Sequence, residues 1–131
     1  MNTYYINDQN FINSEIYKKF LDNNESRGIL NIRAYAASQA VPIEGINIIV
    51  STNLDNNKII FFEGKTNSSG VISGIVLPAP TLNIDNLNAP NKTEYNIEAT
   101  YNNLVKNYKI NVYENVSVIQ NISVVPEMGD M

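Results

Sequence analysis

A chain of 131 residues fits one domain, which at this size can bury roughly 65–70% of its unfolded surface without covalent staples. Cysteine and histidine are both absent, which removes disulfides, thiolate metal sites, cysteine nucleophiles and imidazole acid–base chemistry. A net charge of −4, with nine scattered cations, argues against nucleic acid as a partner, because such binding depends on phosphate neutralisation.

The opening MNTYYINDQNFIN has neither a basic n-region nor an apolar h-region, so cytoplasmic synthesis without a signal peptide is expected. No apolar run approaches the ~20 residues needed to span a bilayer, and no membrane insertion is expected. Residues 1–27 read as an N-terminal arm, helix and linker. Asn13 or Ser14 can cap a short helix in which Ile12, Ile16 and Phe20 recur at i, i+4, with Tyr17 and Leu21 beside them. Asp22 to Gly28, DNNESRG, stops it. This segment either packs over one end of its own domain or docks on a neighbouring copy. In the second reading Tyr4, Tyr5 and Ile6 are the contact residues, since an added strand satisfies an open sheet edge.

From Ile29 the apolar period becomes two, and residues 28–126 read as one β-domain followed by a tail at 127–131. Leu30, Ile32, Ala34 and Ala36 share a face in the first strand, as do Ile46, Ile48 and Val50 in the second. Asp55-Asn56-Asn57 turns into a third strand, Lys58 to Lys65. Asn67 to Gly70 forms the next turn, and Pro78 should end a fourth strand that begins at Val71. The long segment Ala79 to Lys92 is expected to cross between sheets. Tyr95, Ile97, Ala99 and Tyr101 face one way in the fifth strand, and Asn102-Asn103 turns the chain. Tyr108, Ile110 and Val112 follow in the sixth. The last strand points Val116, Val118, Ile122 and Val124 inward, with Gln120 as its polar interruption. The expectation is an all-β, seven-stranded antiparallel Greek-key sandwich with a short N-terminal helix.

The order of Gly28 plus strand, Pro42-Ile43-Glu44-Gly45 plus strand, Thr66-Asn67-Ser68-Ser69-Gly70 plus strand and a Tyr95 strand resembles the transthyretin-like, or carboxypeptidase-regulatory-like, sandwich. Leu77-Pro78-Ala79-Pro80 and the closing INVYENVSVIQNISVVP are similar to the pre-domain of spore cortex-lytic enzymes. Asn67 stands where that family often has Asp, so no carboxylate is offered there. No catalytic domain is expected beyond Met131. The resemblance implies a small module placed in the spore coat or cortex.

No residue set stands out as catalytic, cofactor-binding or metal-ligating, and the chain is expected not to be an enzyme. Glu94 and Glu98 share one strand face with Cα atoms ~13 Å apart, wide for a glycosidase pair. Glu63 lies among Ile60, Phe61 and Phe62, where a partner in Arg33 or Lys65 would satisfy it. Serines 68, 69 and 73 lack a histidine base. The first strand offers Arg33 rather than a lysine, so no intramolecular isopeptide bond is expected. Tyr35 and Tyr113 fall on outward faces and are the candidate binding tyrosines. Two readings stay open. One is a non-catalytic structural or assembly module that self-associates or binds a protein partner. The other is a recognition module for cortex peptidoglycan or a protein.

Overall fold

The computed structural model describes residues 2–36, 41–86, 88 and 91–124. Nine strands and two short helices follow the chain as β1 (Thr3–Tyr5), α1 (Gln9–Ile12), α2 (Glu15–Asp22), β2 (Ser26–Ala36), β3 (Val41–Pro42), β4 (Asn47–Leu54), β5 (Asn57–Lys65), β6 (Val71–Ala79), β7 (Lys92–Tyr101), β8 (Leu104–Tyr113) and β9 (Ser117–Ser123). The larger sheet runs β1-β5-β4-β7-β8. In the smaller sheet β2 is central, with β6 on one side and β9 on the other. The Ala34 amide donates to the Gly70 carbonyl and its carbonyl accepts from the Ile43 amide, so β3 continues the line of β6 along the same edge of β2.

Alternation places the core between the sheets. Leu30, Ile32 and Ala34 of β2, Ile75 and Leu77 of β6, and Ile122 of β9 meet Ile48 and Val50 of β4, Tyr95, Ile97 and Ala99 of β7, and Val112 of β8. Two-residue turns close the hairpins of the larger sheet. Asp55 and Asn56 between β4 and β5, and Asn102 between β7 and β8, take positive φ, which asparagine and aspartate tolerate through local hydrogen bonding. Residues 80–91 join β6 in one sheet to β7 in the other, the expected crossover.

Several expectations need correction. The described residues form nine strands rather than seven, and the sheets are mixed: β1 pairs parallel with β5, and β2 pairs parallel with β9. The sequence pattern reads strand faces but not strand direction, because parallel neighbours show the same alternation. Pro78 does not end β6, which runs on to Ala79; β6 lies at the sheet edge, where a missing N–H costs no ladder bond. Val116 lies before β9 and is exposed, not inward. The tail at 127–131 lies outside the described residues.

Ser14 caps α2, its hydroxyl accepting from the Tyr17 amide at 3.2 Å, as one of the two expected caps requires. α1, capped by Asp8, was not expected, and the added strand expected of Tyr4, Tyr5 and Ile6 on a neighbouring copy is instead β1, paired with β5 of its own domain. A continuous aromatic path ties this segment to the sandwich. Tyr4 stacks on Phe11, Phe11 meets Tyr17, Tyr17 stacks on Phe20, Phe20 meets Phe61, and Phe61 meets the edge of Tyr95 in the core. Phe11 and Phe20 are buried. Buried Asn24 locks the helix exit, donating to the Phe20 carbonyl at 2.8 Å and accepting from the Thr93 hydroxyl of β7. Residues 3–24 therefore pack on their own domain, the other of the two readings.

Candidate functional site

Three surface features could support an interaction. The first is the outer edge of β8. A two-residue turn makes Tyr101 and Leu104 the first hydrogen-bonded pair of the β7–β8 hairpin, so even-numbered β8 residues bond to β7. Val105, Asn107, Lys109 and Asn111 then point their backbone N–H and C=O groups away from the sheet. Among the described residues β8 pairs only with β7. Its hairpin end is apolar and open, with Leu104 41% and Val105 53% exposed. Lysines commonly guard such edges. Here both are drawn aside: Lys106 donates to the Ser123 carbonyl of β9 at 2.5 Å, and the Lys109 ammonium lies 3.8 Å from the Glu94 carboxylate.

Two other edges are blunter, and the remaining one, β9, is shorter at seven residues. β6 carries Pro78, and at Gly74 (φ +76°) its register against β2 is irregular. β1 is three residues long. The second feature is a cleft of about 530 Å³ between α2 and the end of β6. Ile6, Tyr17, Leu21, Phe61, Val76 and Pro78 supply its apolar lining, and Glu25 and Arg27 its charges.

The third feature is a groove of about 340 Å³ on the outer face of the larger sheet. Lys58 of β5, Asn53 and Ser51 of β4, Asn96 and Glu98 of β7, and Asn107 and Lys109 of β8 line it, with Tyr108 at its margin. Register brings them together. Ser51 pairs with Asn96, Asn96 with Lys109, Glu98 with Asn107 and Asn53 with Lys58. The Lys58 ammonium reaches Glu98 at 2.5 Å. On this outward face each carboxylate meets a lysine: Glu94 meets Lys109 of the adjacent β8, and Glu98 meets Lys58 of β5, reached across β4.

The residues singled out in the sequence do not form one surface. Tyr4 is half-buried against Phe11, while Tyr5 is exposed at the β1 edge and donates to the Glu63 carboxylate at 3.3 Å. Glu63 is thus exposed, with Tyr5 as its partner rather than Arg33 or Lys65. The Ile6 amide continues the β1–β5 pairing onto the Ile60 carbonyl. Tyr35 and Tyr113 are both half-buried and lie on outer faces of different sheets. Gly28, at the start of β2, abuts Tyr113, whereas Tyr35 lies seven residues further along, roughly 23 Å at strand rise. The groove asparagines went unnoticed because each is an ordinary outward residue of its own strand; only cross-strand register gathers them. The Asn67 side chain accepts from the Ser69 and Val71 amides, so it shapes its turn.

No protein-family model and no curated protein matches the chain. Among solved structures it is similar to 5-hydroxyisourate hydrolase from Klebsiella pneumoniae, with TM-score 0.51 and 14% identity over 76% of this chain and 90% of that one. A transthyretin from Sparus aurata aligns with TM-score 0.46 and 14% identity, over 74% and 90% of the two chains. The likeness to the hydrolase shows the fold, the transthyretin-like sandwich that the turn order resembled. It also corrects the expectation that the chain is not an enzyme. That expectation rested on the missing histidine and cysteine, the unpaired acids and the lack of a catalytic domain, yet the same fold serves a hydrolase.

Proposed function

We propose that this domain is an assembly module whose copies join through β8. One observation carries the reading: a ten-residue edge strand whose outward backbone groups have no partner among the described residues, with apolar Leu104 and Val105 at its open end and both its lysines engaged elsewhere. Antiparallel pairing of β8 with its counterpart in a second copy satisfies those groups and is self-complementary, as a two-fold interface must be. The spore envelope is the setting we infer from the resemblance of Leu77-Pro78-Ala79-Pro80 and the closing segment. In that setting cortex peptidoglycan is the alternative partner. The 23 Å scale of separation between Tyr35 and Tyr113 counts against those two tyrosines forming one platform for it.

Light scattering on the eluting protein tests the assembly reading. The wild type is expected to give a dimer, and Val105→Pro a monomer with an unchanged β-type circular dichroism spectrum. Proline at 105 removes an outward N–H and no bond to β7. A wild type that stays monomeric at high concentration, or a Val105→Pro protein that still dimerises, overturns it.

A further inference from the structure

The groove on the outer face of the larger sheet has a lining with a definite ligand preference. β4 and β7 are interior strands, and β5 is flanked by β1 and β4, so their backbone groups are engaged in ladders. β8 at the rim keeps open backbone groups at Asn107 and Lys109, but these lie in the sheet plane, so what sits on the groove floor is read by side chains. Of the lining charges, Lys58 is paired with Glu98, and Lys109 is balanced by Glu94, which lies 3.8 Å from it beside the groove. A phosphate or polyanion gains nothing net from such a floor, and neither does a cation.

The remaining groups are three amides, from Asn53, Asn96 and Asn107, each with two donors and an acceptor. Among the described residues, the one side-chain hydrogen bond within the groove is Lys58 to Glu98. The three amides are therefore free to bond a ligand, and on short side chains they cost little entropy to fix. Beside them lie the aliphatic stems of the two lysines. Amides in a row next to apolar carbon complement a ring that carries hydroxyls on its rim and C–H groups on its faces.

We propose that this groove binds a neutral, hydroxyl-rich oligosaccharide, with Asn53, Asn96 and Asn107 as the recognising residues. The inference deepens the glycan-recognition alternative, relocates its site from the two tyrosines, and does not depend on β8 pairing.

Amide NMR shifts of the 15N-labelled full chain, titrated with chitotetraose and with cellotetraose, test it. At least one of these neutral tetrasaccharides is expected to move resonances of residues 51–53, 58, 96–98 and 107–109. The binding should be insensitive to salt, since no net charge is neutralised. Asn96→Ala with Asn107→Ala should weaken it at least about tenfold, the loss of one to two hydrogen bonds, while leaving the melting temperature unchanged. Shifts confined to Tyr35 or Tyr113 and their neighbours refute the site but keep the glycan reading. No shift with either sugar at millimolar concentration refutes both, whatever the light scattering shows. Binding of an extended peptide at the groove, with no response to sugar, also overturns the proposal.

Discussion

The Tyr95 hydroxyl, carried by β7 of the larger sheet, donates to the Pro78 carbonyl of β6 in the smaller one at 2.5 Å. It pins the two layers together at the end that α2 covers. Burial holds the Tyr95 phenol far above its ordinary pKa of 10.0, with a smaller contribution from Tyr17, so the donor keeps its proton. Tyr95→Phe leaves the ring and removes the donor, and should cost about 1 kcal/mol, or roughly 3–6 °C in melting temperature.

The same residue predicts an alkaline limb. Above pH 10 the unfolded chain loses the Tyr95 proton while the folded chain retains it, so stability falls as pH rises. Urea titrations of wild type and Tyr95→Phe across pH 8–11 should therefore converge at the alkaline end. Parallel curves would assign the alkaline loss to other groups.

At the acid end the relevant group is Glu114. The Leu82 amide at 2.7 Å and the Ser26 hydroxyl at 2.8 Å hold its carboxyl below the usual carboxylate value of 4.5. Its stabilisation is present above that value and is lost as pH falls through the lower folded one. Glu114→Gln should flatten the acid limb, measured by thermal melts from pH 3 to 6. An acid limb as steep as the wild type's would mean the carboxylate is not held by these donors.

Gly28 is required by close packing. A Cβ there would collide with the Tyr113 carbonyl oxygen and Val112 Cγ1. Backbone cannot yield as a flexible side chain can, so Gly28→Ala should destabilise by about 1–3 kcal/mol in urea denaturation. Gly45 has open space around it but φ of +85°, and its alanine variant should cost only about 1–2 kcal/mol through backbone strain. Equal stability of wild type and Gly28→Ala would show that the start of β2 and the end of β8 are not in close contact.

Residues 2–24 hold stability rather than a neighbour. Deleting them removes the buried rings of Phe11 and Phe20 from the path that reaches Phe61 and Tyr95. Phe20→Ala alone should cost about 3–5 kcal/mol. Calorimetry of the truncated chain should show a melting temperature lower by several degrees. An unchanged melting temperature together with loss of dimers would restore the docking-arm reading.

The sequence by itself determined the β class, the faces of most strands and the helix stop. Period-two alternation in Leu30-Ile32-Ala34 and Tyr95-Ile97-Ala99 has one cheap solution, with those residues inside. Turn residues such as Asp55, Asn56 and Asn102 mark hairpins because few others tolerate positive φ. What alternation leaves open is which strands are neighbours and which way they run. β1 alongside β5 and β9 alongside β2 are parallel pairings between segments more than fifty residues apart. They go with the packing of Phe20 on Phe61 of β5 and of Ile122 in the core, not with any local pattern. The same holds for function. Asn53, Asn96 and Asn107 become one groove, and Tyr35 and Tyr113 become two distant faces, only once register and sheet order are set, because each strand's sequence records what faces out but not what stands beside it.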